Sequence, residues 1–230
     1  METSAYADAE SVAQRAAAFI AWHAHDAIAS RGQFTLALSG GKTPWRMLDW
    51  WVLEDLPWER IHLFQVDERV APLGDEQRNW THMQKALQPQ WQQLGAHVYP
   101  MPVEDVDLKA AAVRYAAMLS NVTGAPAVLD LIHLGLGADG HTASLVPDDP
   151  VLDEVETDVA LTQPYQGTRR MTLTYPVINR ARHILWVAVG EDKQRAVSQL
   201  MGRDRSIPAG RVREEGGTLI ADFAALGVPH

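Results

Sequence analysis

Four short polar segments hold the residue types that could do chemistry. The first is Gly135-Leu-Gly137-Ala-Asp139-Gly140-His141, in which three glycines within six residues surround an Asp and a His. Glycine permits positive φ and close backbone approach at an entropic cost, so such a loop is an expensive mere connection. An imidazole titrates near neutrality and can take a proton from water. The same residues also suit a His at a turn ahead of a short helix beginning at Thr142. Residue types alone weigh these two readings evenly.

The second segment, Asp67-Glu68-Arg69, joins carboxylates to a planar guanidinium that could clamp an oxyanion. Taken alone it reads more readily as a solvated turn, because charge clusters usually face water. In the third, Ser39-Gly40-Gly41, a Gly-Gly turn ahead of a helix offers free N–H groups to an anion. The fourth, Gly190-Glu-Asp-Lys193, places a lysine in the first turn of a helix. The helix dipole disfavours a cation there, which points to a functional charge. Arg169 and Arg170 form a basic pair that would ordinarily be exposed.

Two motif matches fail on inspection. Gly41-Lys42-Thr43 resembles the end of a phosphate-binding P-loop, but the required upstream glycine is Leu36 and Pro44 follows at once. Gly135-Leu-Gly137-Ala-Asp-Gly140 matches a dinucleotide fingerprint, but Pro147 and Pro150 stop the crossover helix that the fingerprint must open. The histidines show no metal-ligand spacing of the H-E-x-x-H kind. Trp45, Trp50 and Trp51 share one helix, where core packing is the expected role.

All four segments follow directly after apolar runs that read as strands: Phe34–Leu38, Ile61–Val66, Leu129–Leu134 and His183–Val189. Met171–Thr174 reads as a further short strand and Leu219-Ile220 as a last one. Helical spacing or composition covers Ala7–Ser30, Trp45–Leu56, Trp80–Leu87, Asp107–Ser120 and Glu191–Met201. Alternation of strand and helix predicts an α/β fold with an open, mainly parallel, doubly wound sheet and helices on both faces. In such sheets ligands collect at the carboxyl ends of the strands, so four strand ends could converge on one site. One domain spanning residues 1–230 is expected.

The bulk composition limits the function classes. The chain has 230 residues, 47% hydrophobic and 21% charged, with a net charge of -9. The acidic balance argues against a nucleic-acid surface, and an anion site would have to be built locally from a few cations and N–H groups. No apolar run approaches a bilayer-spanning length, and the first residues lack the features of a signal peptide. There is no cysteine, which removes disulfides, thiolate catalysis and thiolate-bound metal. A cytoplasmic address fits this composition without being required by it.

Taken together, and in order along nearly the whole chain, the motifs resemble those of the 6-phosphogluconolactonase family. Leu38-Ser-Gly-Gly-Lys-Thr-Pro44 resembles its Gly-Gly turn. Asp67-Glu-Arg69 with Asn79 resembles its D-E-R segment and downstream Asn. Leu134-Gly-Leu-Gly-Ala-Asp-Gly-His-Thr-Ala-Ser-Leu-Val-Pro147 is similar to its most specific signature. Arg170-Met-Thr-Leu-Thr174 with Pro176, Lys193, and Ile207-Pro-Ala-Gly-Arg211 complete the series. Val146 stands where the family usually has Phe, and Arg78-Asn79 where Ser-Asn is common. The resemblance implies a sheet related to those of glucosamine-6-phosphate deaminase and ribose-5-phosphate isomerase. It also implies hydrolysis of 6-phosphogluconolactone in the oxidative pentose phosphate pathway, with no metal and no organic cofactor. His141 would be the general base, and Asp67 and Asp139 would line the sugar. Ser39, Gly40, Gly41, Arg69, Arg170 and Lys193 would surround the phosphate. A small-molecule substrate, no nucleic-acid or membrane partner, and a monomer are expected.

Overall fold

A computed structural model describes residues 1–228, with the side chains of residues 89 and 91 left aside. In chain order the elements are β1 (Glu2–Tyr6), α1 (Ala9–Arg31), β2 (Phe34–Leu38), α2 (Lys42–Trp51), β3 (Ile61–Gln65), β4 (Asp67–Arg69), α3 (Asn79–Gln93), β5 (His97–Tyr99) and α4 (Leu108–Thr123). They continue with β6 (Leu131–Gly135), β7 (Val159–Leu161), β8 (Arg170–Leu173), α5 (Tyr175–Arg180), β9 (His183–Ala188), α6 (Gln194–Met201), β10 (Gly217–Asp222) and α7 (Phe223–Leu226).

Seven strands form an open sheet in the order β1-β10-β9-β6-β2-β3-β5, and every pairing within it is parallel. Alternate side chains feed two cores. Leu36 and Leu38 of β2, Leu131 of β6 and Leu185 of β9 join the apolar faces of α1, α2 and α3. Ala37, Ile132, Leu134, Ile184 and Trp186 face the opposite side with α4, α6 and α7. Burial on both faces explains why the central strands read as unbroken apolar runs. Helix α1 starts at Asp8, whose side chain accepts the Ser11 N–H, and stops at Gly32 in the left-handed conformation.

Strand order reverses between β2 and β6. From β2 the chain builds outward through β3 to β5; α4 then returns it to β6 on the other side, and β9 and β10 extend that half. Asp130 secures this central pair. Its carboxylate, almost fully buried, accepts the Thr35 N–H and hydroxyl, each at 2.9 Å, and the Arg31 Nε–H at 2.8 Å.

Two expectations need correction. Asp67–Arg69 is not a turn but strand β4. Together with β8, the strand expected at Met171–Thr174, and β7 it makes a separate antiparallel sheet. The helix expected over Trp45–Leu56 runs from Lys42 to Trp51. The edge strands β1 and β5 were invisible to pattern reading because they are short and partly polar.

His133 on β6 is fully buried, and neither ring nitrogen has a hydrogen-bond partner. Burial pushes its pKa from 6.5 down to about 3. His23, also depressed by burial and then by the neighbouring His183, sits at about 4. The unfolded chain therefore binds protons that the folded chain refuses once the pH drops below about 6.5. The stability present above that pH is lost as the pH falls toward these folded values. His133→Leu should recover roughly 2 kcal/mol of the loss at pH 5, read from urea unfolding at pH 7.5 and pH 5. Identical pH dependence in variant and parent would contradict this account.

Candidate active site

A cleft of about 410 Å³ opens at the carboxyl ends of the central strands. It is lined by Ser39, Gly40 and Gly41 after β2, Asp67 and Arg69 of β4, Gly137 and His141 after β6, Arg170 of β8, and Lys193 after β9. Segments after three strands of the parallel sheet, β2, β6 and β9, meet at the cleft, and the fourth expected segment, Asp67–Arg69, reaches it as strand β4 of the small sheet.

The loop after β6 brings His141 Nδ1 to 2.6 Å from Asp139 Oδ1, which also accepts the His141 N–H at 3.1 Å. Gly137 makes this possible. A Cβ there would lie 2.1 Å from His141 Nδ1 and 2.6 Å from Asp139 Oδ1. Gly140 adopts φ +81° beneath Ile207. No helix begins at Thr142; a two-residue turn pairs Thr142 with Leu145 instead. Ala143 in that turn has φ 53°, a conformation costing a side chain about 1–2 kcal/mol. The turn delivers the Ser144 hydroxyl to Asp67 Oδ2 at 2.6 Å.

Burial would raise the Asp139 carboxyl, but the His141 charge, the His141 N–H and ring, and the Tyr165 hydroxyl outweigh it and hold the pKa below its ordinary value. His141 Nδ1 is committed to that carboxylate, and Nε2 carries no protein hydrogen bond. Among the described residues no cluster of three or more His, Asp or Glu is arranged to hold a metal ion.

The cationic wall depends on β4. Glu68 is completely buried between Asp67 and Arg69. Its carboxylate accepts the backbone N–H groups of Arg69, Asn79 and Trp80, all at 2.8 Å, and the Gln65 amide at 2.9 Å, with Arg78 Nε at 3.4 Å. This one side chain therefore ties β4 to the start of α3. Asn79 at that start donates to the Asp67 carbonyl at 2.9 Å and packs where a Cβ on Gly40 would collide with it.

Arg170 is buried, pairs across β4 with Arg69, and keeps an unpartnered Nε. Burial lowers its pKa, partly offset by Asp67. Arg69 also keeps an unpartnered Nε, while its Nη1 donates to the Gln77 carbonyl at 2.6 Å. Arg170 is buried and Arg69 half-buried, and guanidinium groups with free donors can take an anion. Arg169 is exposed and bonds the Thr162 carbonyl outside the cleft. Lys193 ends a short 3₁₀ turn rather than opening an α-helix, and its ammonium lies 3.2 Å from Asp192. Helix α2 points its N-terminus, capped by Gly41 without a side-chain bond, at the same space.

A family model described as glucosamine-6-phosphate isomerases/6-phosphogluconolactonase matches residues 7–221. The chain belongs to this family. A 6-phosphogluconolactonase of Synechocystis sp. is 36% identical over 197 residues, covering 83% of this chain and 82% of its own length. One from Streptomyces coelicolor is 34% identical over 238 residues, covering 95% and 90%. The crystal structure of a Thermotoga maritima 6-phosphogluconolactonase superposes with a TM-score of 0.85 at 24% identity, over 96% of this chain and 98% of that one. A monomeric glucosamine-6-phosphate deaminase gives 0.81 at 18% identity over the full length of both. These two structural matches show a shared fold.

Three residues near the site carried no assigned role in the sequence reading. Ser144 and Asn79 lay inside recognised motifs, and only the fold reveals that both address Asp67. Tyr165 lay outside every motif. Its one signal is the following Gln166-Gly167, which marks a tight turn.

Gly137→Ala should push the His141 ring off Asp139. We expect turnover about 100-fold lower, the scale of a misplacement near 1 Å, and loss of the downfield Nδ1 proton signal of His141 in NMR spectra. Gly135→Ala, where a Cβ meets no atom within 4 Å, should retain the signal. A signal kept in both variants would contradict the close-approach role of Gly137.

Proposed function

We propose that the protein hydrolyses 6-phospho-D-glucono-1,5-lactone to 6-phospho-D-gluconate, in the oxidative pentose phosphate pathway, with His141 as general base. The observation that carries this reading is the His141–Asp139 contact in a loop that shares one cleft with Arg69, Arg170 and Lys193. Full-length similarity to proteins named 6-phosphogluconolactonase supports the substrate.

In this mechanism Arg69, Arg170, Lys193 and the N–H groups of the Ser39-Gly40-Gly41 turn hold the 6-phosphate. That binding energy fixes the lactone carbonyl beside His141. Asp139 keeps the proton on Nδ1, so Nε2 takes one from water as its oxygen attacks C1. Charge builds on the carbonyl oxygen, where backbone donors of the glycine-rich loop stabilise it. The bond from C1 to the ring oxygen then breaks, and the imidazolium returns its proton to that oxygen. Asp67 faces the sugar hydroxyls, oriented by Ser144 and Asn79. No step calls on a metal or an organic cofactor. A cytoplasmic monomer fits this role; no helix among the described residues is long and apolar enough to cross a membrane.

A deaminase on the same fold is disfavoured by particular residues. Such enzymes carry D-E-Y and A-F-N-E-P segments where this chain has Asp67-Glu-Arg69 and Ala143-Ser-Leu-Val-Pro147. At the position of their helper carboxylate the chain has Val146, buried and apolar. A non-catalytic sugar-phosphate sensor would have no need of the His141–Asp139 pair.

The test is loss of freshly generated 6-phosphogluconolactone, measured against its spontaneous hydrolysis. The parent should accelerate it, and His141→Asn should lower kcat by about 10²–10⁴-fold, the contribution of a placed general base, with KM little changed. Arg170→Met and Lys193→Met should mainly raise KM, because the phosphate is held equally in ground and transition states. No acceleration by the parent would sink the lactonase reading. Near-native kcat in His141→Asn would remove His141 from the base role.

A further inference from the structure

The hairpin joining β7 to β8 ends in Tyr165-Gln166-Gly167-Thr168, a segment used by none of the steps above. Tyr165 N–H donates to the Thr168 carbonyl at 3.1 Å, and Thr168 N–H to the Tyr165 carbonyl at 3.2 Å. Gln166 and Gly167 have φ of 52° and 83°. Two successive positive φ values in a two-residue loop make a type I′ turn, which favours Asn or Gly at its first position. Glutamine there is strained. Its side chain reaches back, and Nε2 donates to the Tyr165 hydroxyl at 3.3 Å. That hydroxyl in turn donates to Asp139 Oδ2 at 2.9 Å.

Each oxygen of Asp139 thus has its own partner: Oδ1 takes His141 and Oδ2 takes Tyr165. The carboxylate is partly exposed, with 39% of its side chain accessible. Without the second bond, water would compete for Oδ2 and the carboxylate plane could rotate away from the imidazole. The Tyr165 ring meets the His141 ring edge-on at 5.7 Å between centroids. Its other contact is the Arg170 guanidinium, 4.9 Å from the ring centroid, within cation–π range. One side chain therefore touches the anion-binding wall and the proposed base pair.

We propose that Tyr165 is a positioning residue that locks the Asp139 carboxylate, and through it His141, while its ring braces Arg170. This proposal rests on the lactonase reading only for its kinetic consequences. The charged and titratable groups around the network are Asp139 and His141 from the loop after β6, Arg170 from β8, Asp67 and Arg69 from β4, and Lys193 after β9. Burial and then Asp139 raise the Tyr165 hydroxyl above its ordinary pKa, so it remains a donor at neutral pH.

Two variants separate hydroxyl from ring. Tyr165→Phe removes the donor and keeps the face against Arg170. Because the Tyr165 bond is among the interactions that lower Asp139, the Asp139 carboxyl should titrate at higher pH in Tyr165→Phe, read from its ¹³C carboxyl signal. Lactone hydrolysis should show kcat about tenfold lower, a fraction of a general base's contribution, with KM within about twofold. Tyr165→Ala should add a rise in KM as Arg170 loses its brace. An unchanged Asp139 titration in Tyr165→Phe, with circular dichroism showing the fold intact, would overturn the proposal whatever the activity. A shifted Asp139 titration in a protein whose parent form does not hydrolyse the lactone would sink the lactonase reading and leave the positioning role standing.

Discussion

The site depends first on β2 and β6 lying side by side. A parallel pair has no hairpin to set its register, and the strands come from segments nearly a hundred residues apart. Asp130, buried at the amino ends of both strands, supplies the tie: its carboxylate gathers donors from Thr35 and Arg31 ahead of β6. With the register held there, the opposite ends of the strands place the Ser39-Gly40-Gly41 turn beside the loop that carries Asp139 and His141. The Ser39-Gly40-Gly41 turn and His141 then share one crevice, at the point where strand order reverses.

The small antiparallel sheet supplies what the parallel sheet lacks. Among cations and N–H donors, strand ends alone would offer N–H groups and two lysines, Lys42 and Lys193. The β4–β8 pair adds Arg69 and Arg170 in direct register, and Asp67 beside them. Arg170 is buried and Arg69 half-buried beside it, and holding two guanidinium groups so close together is unfavourable unless anions compensate. Asp67 provides part of that compensation at Arg170. The Nε atoms of both arginines have no hydrogen-bond partner among the described residues.

Legibility in the sequence followed burial. Phe34–Leu38, the heart of β3, and His183–Ala188 could be read because a strand covered on both faces must be apolar throughout. Strands β1, β5 and β7 could not, since short edge strands with exposed faces lack that signature. Asp67-Glu-Arg69 was misleading on its own terms: three charged residues ordinarily mean solvent, and burial of Glu68 is made tolerable by distant donors from Asn79 and Trp80 together with the nearby Gln65 amide and Arg69 N–H. Arg170 and Arg169 could be told apart only by motif, and the β8 register accounts for the choice by turning one inward and the other out. Every other residue proposed for the cleft, His141 and Lys193 included, was visible as a polar type after an apolar run. Tyr165 was not, because its partner Asp139 is 26 residues away and the turn that presents it uses a glutamine where pattern reading expects Asn or Gly.

The central claim is that Asp139 holds the proton of a neutral His141 on Nδ1 and leaves Nε2 bare toward the cleft. Nitrogen-15 NMR of the histidine-labelled protein, with His141 assigned by comparison with His141→Asn, reads this directly. The geometry predicts a protonated Nδ1 and an unprotonated Nε2 for neutral His141. A neutral ring carrying its proton on Nε2 would contradict it, because the atom facing the cleft could then donate a proton but not accept one.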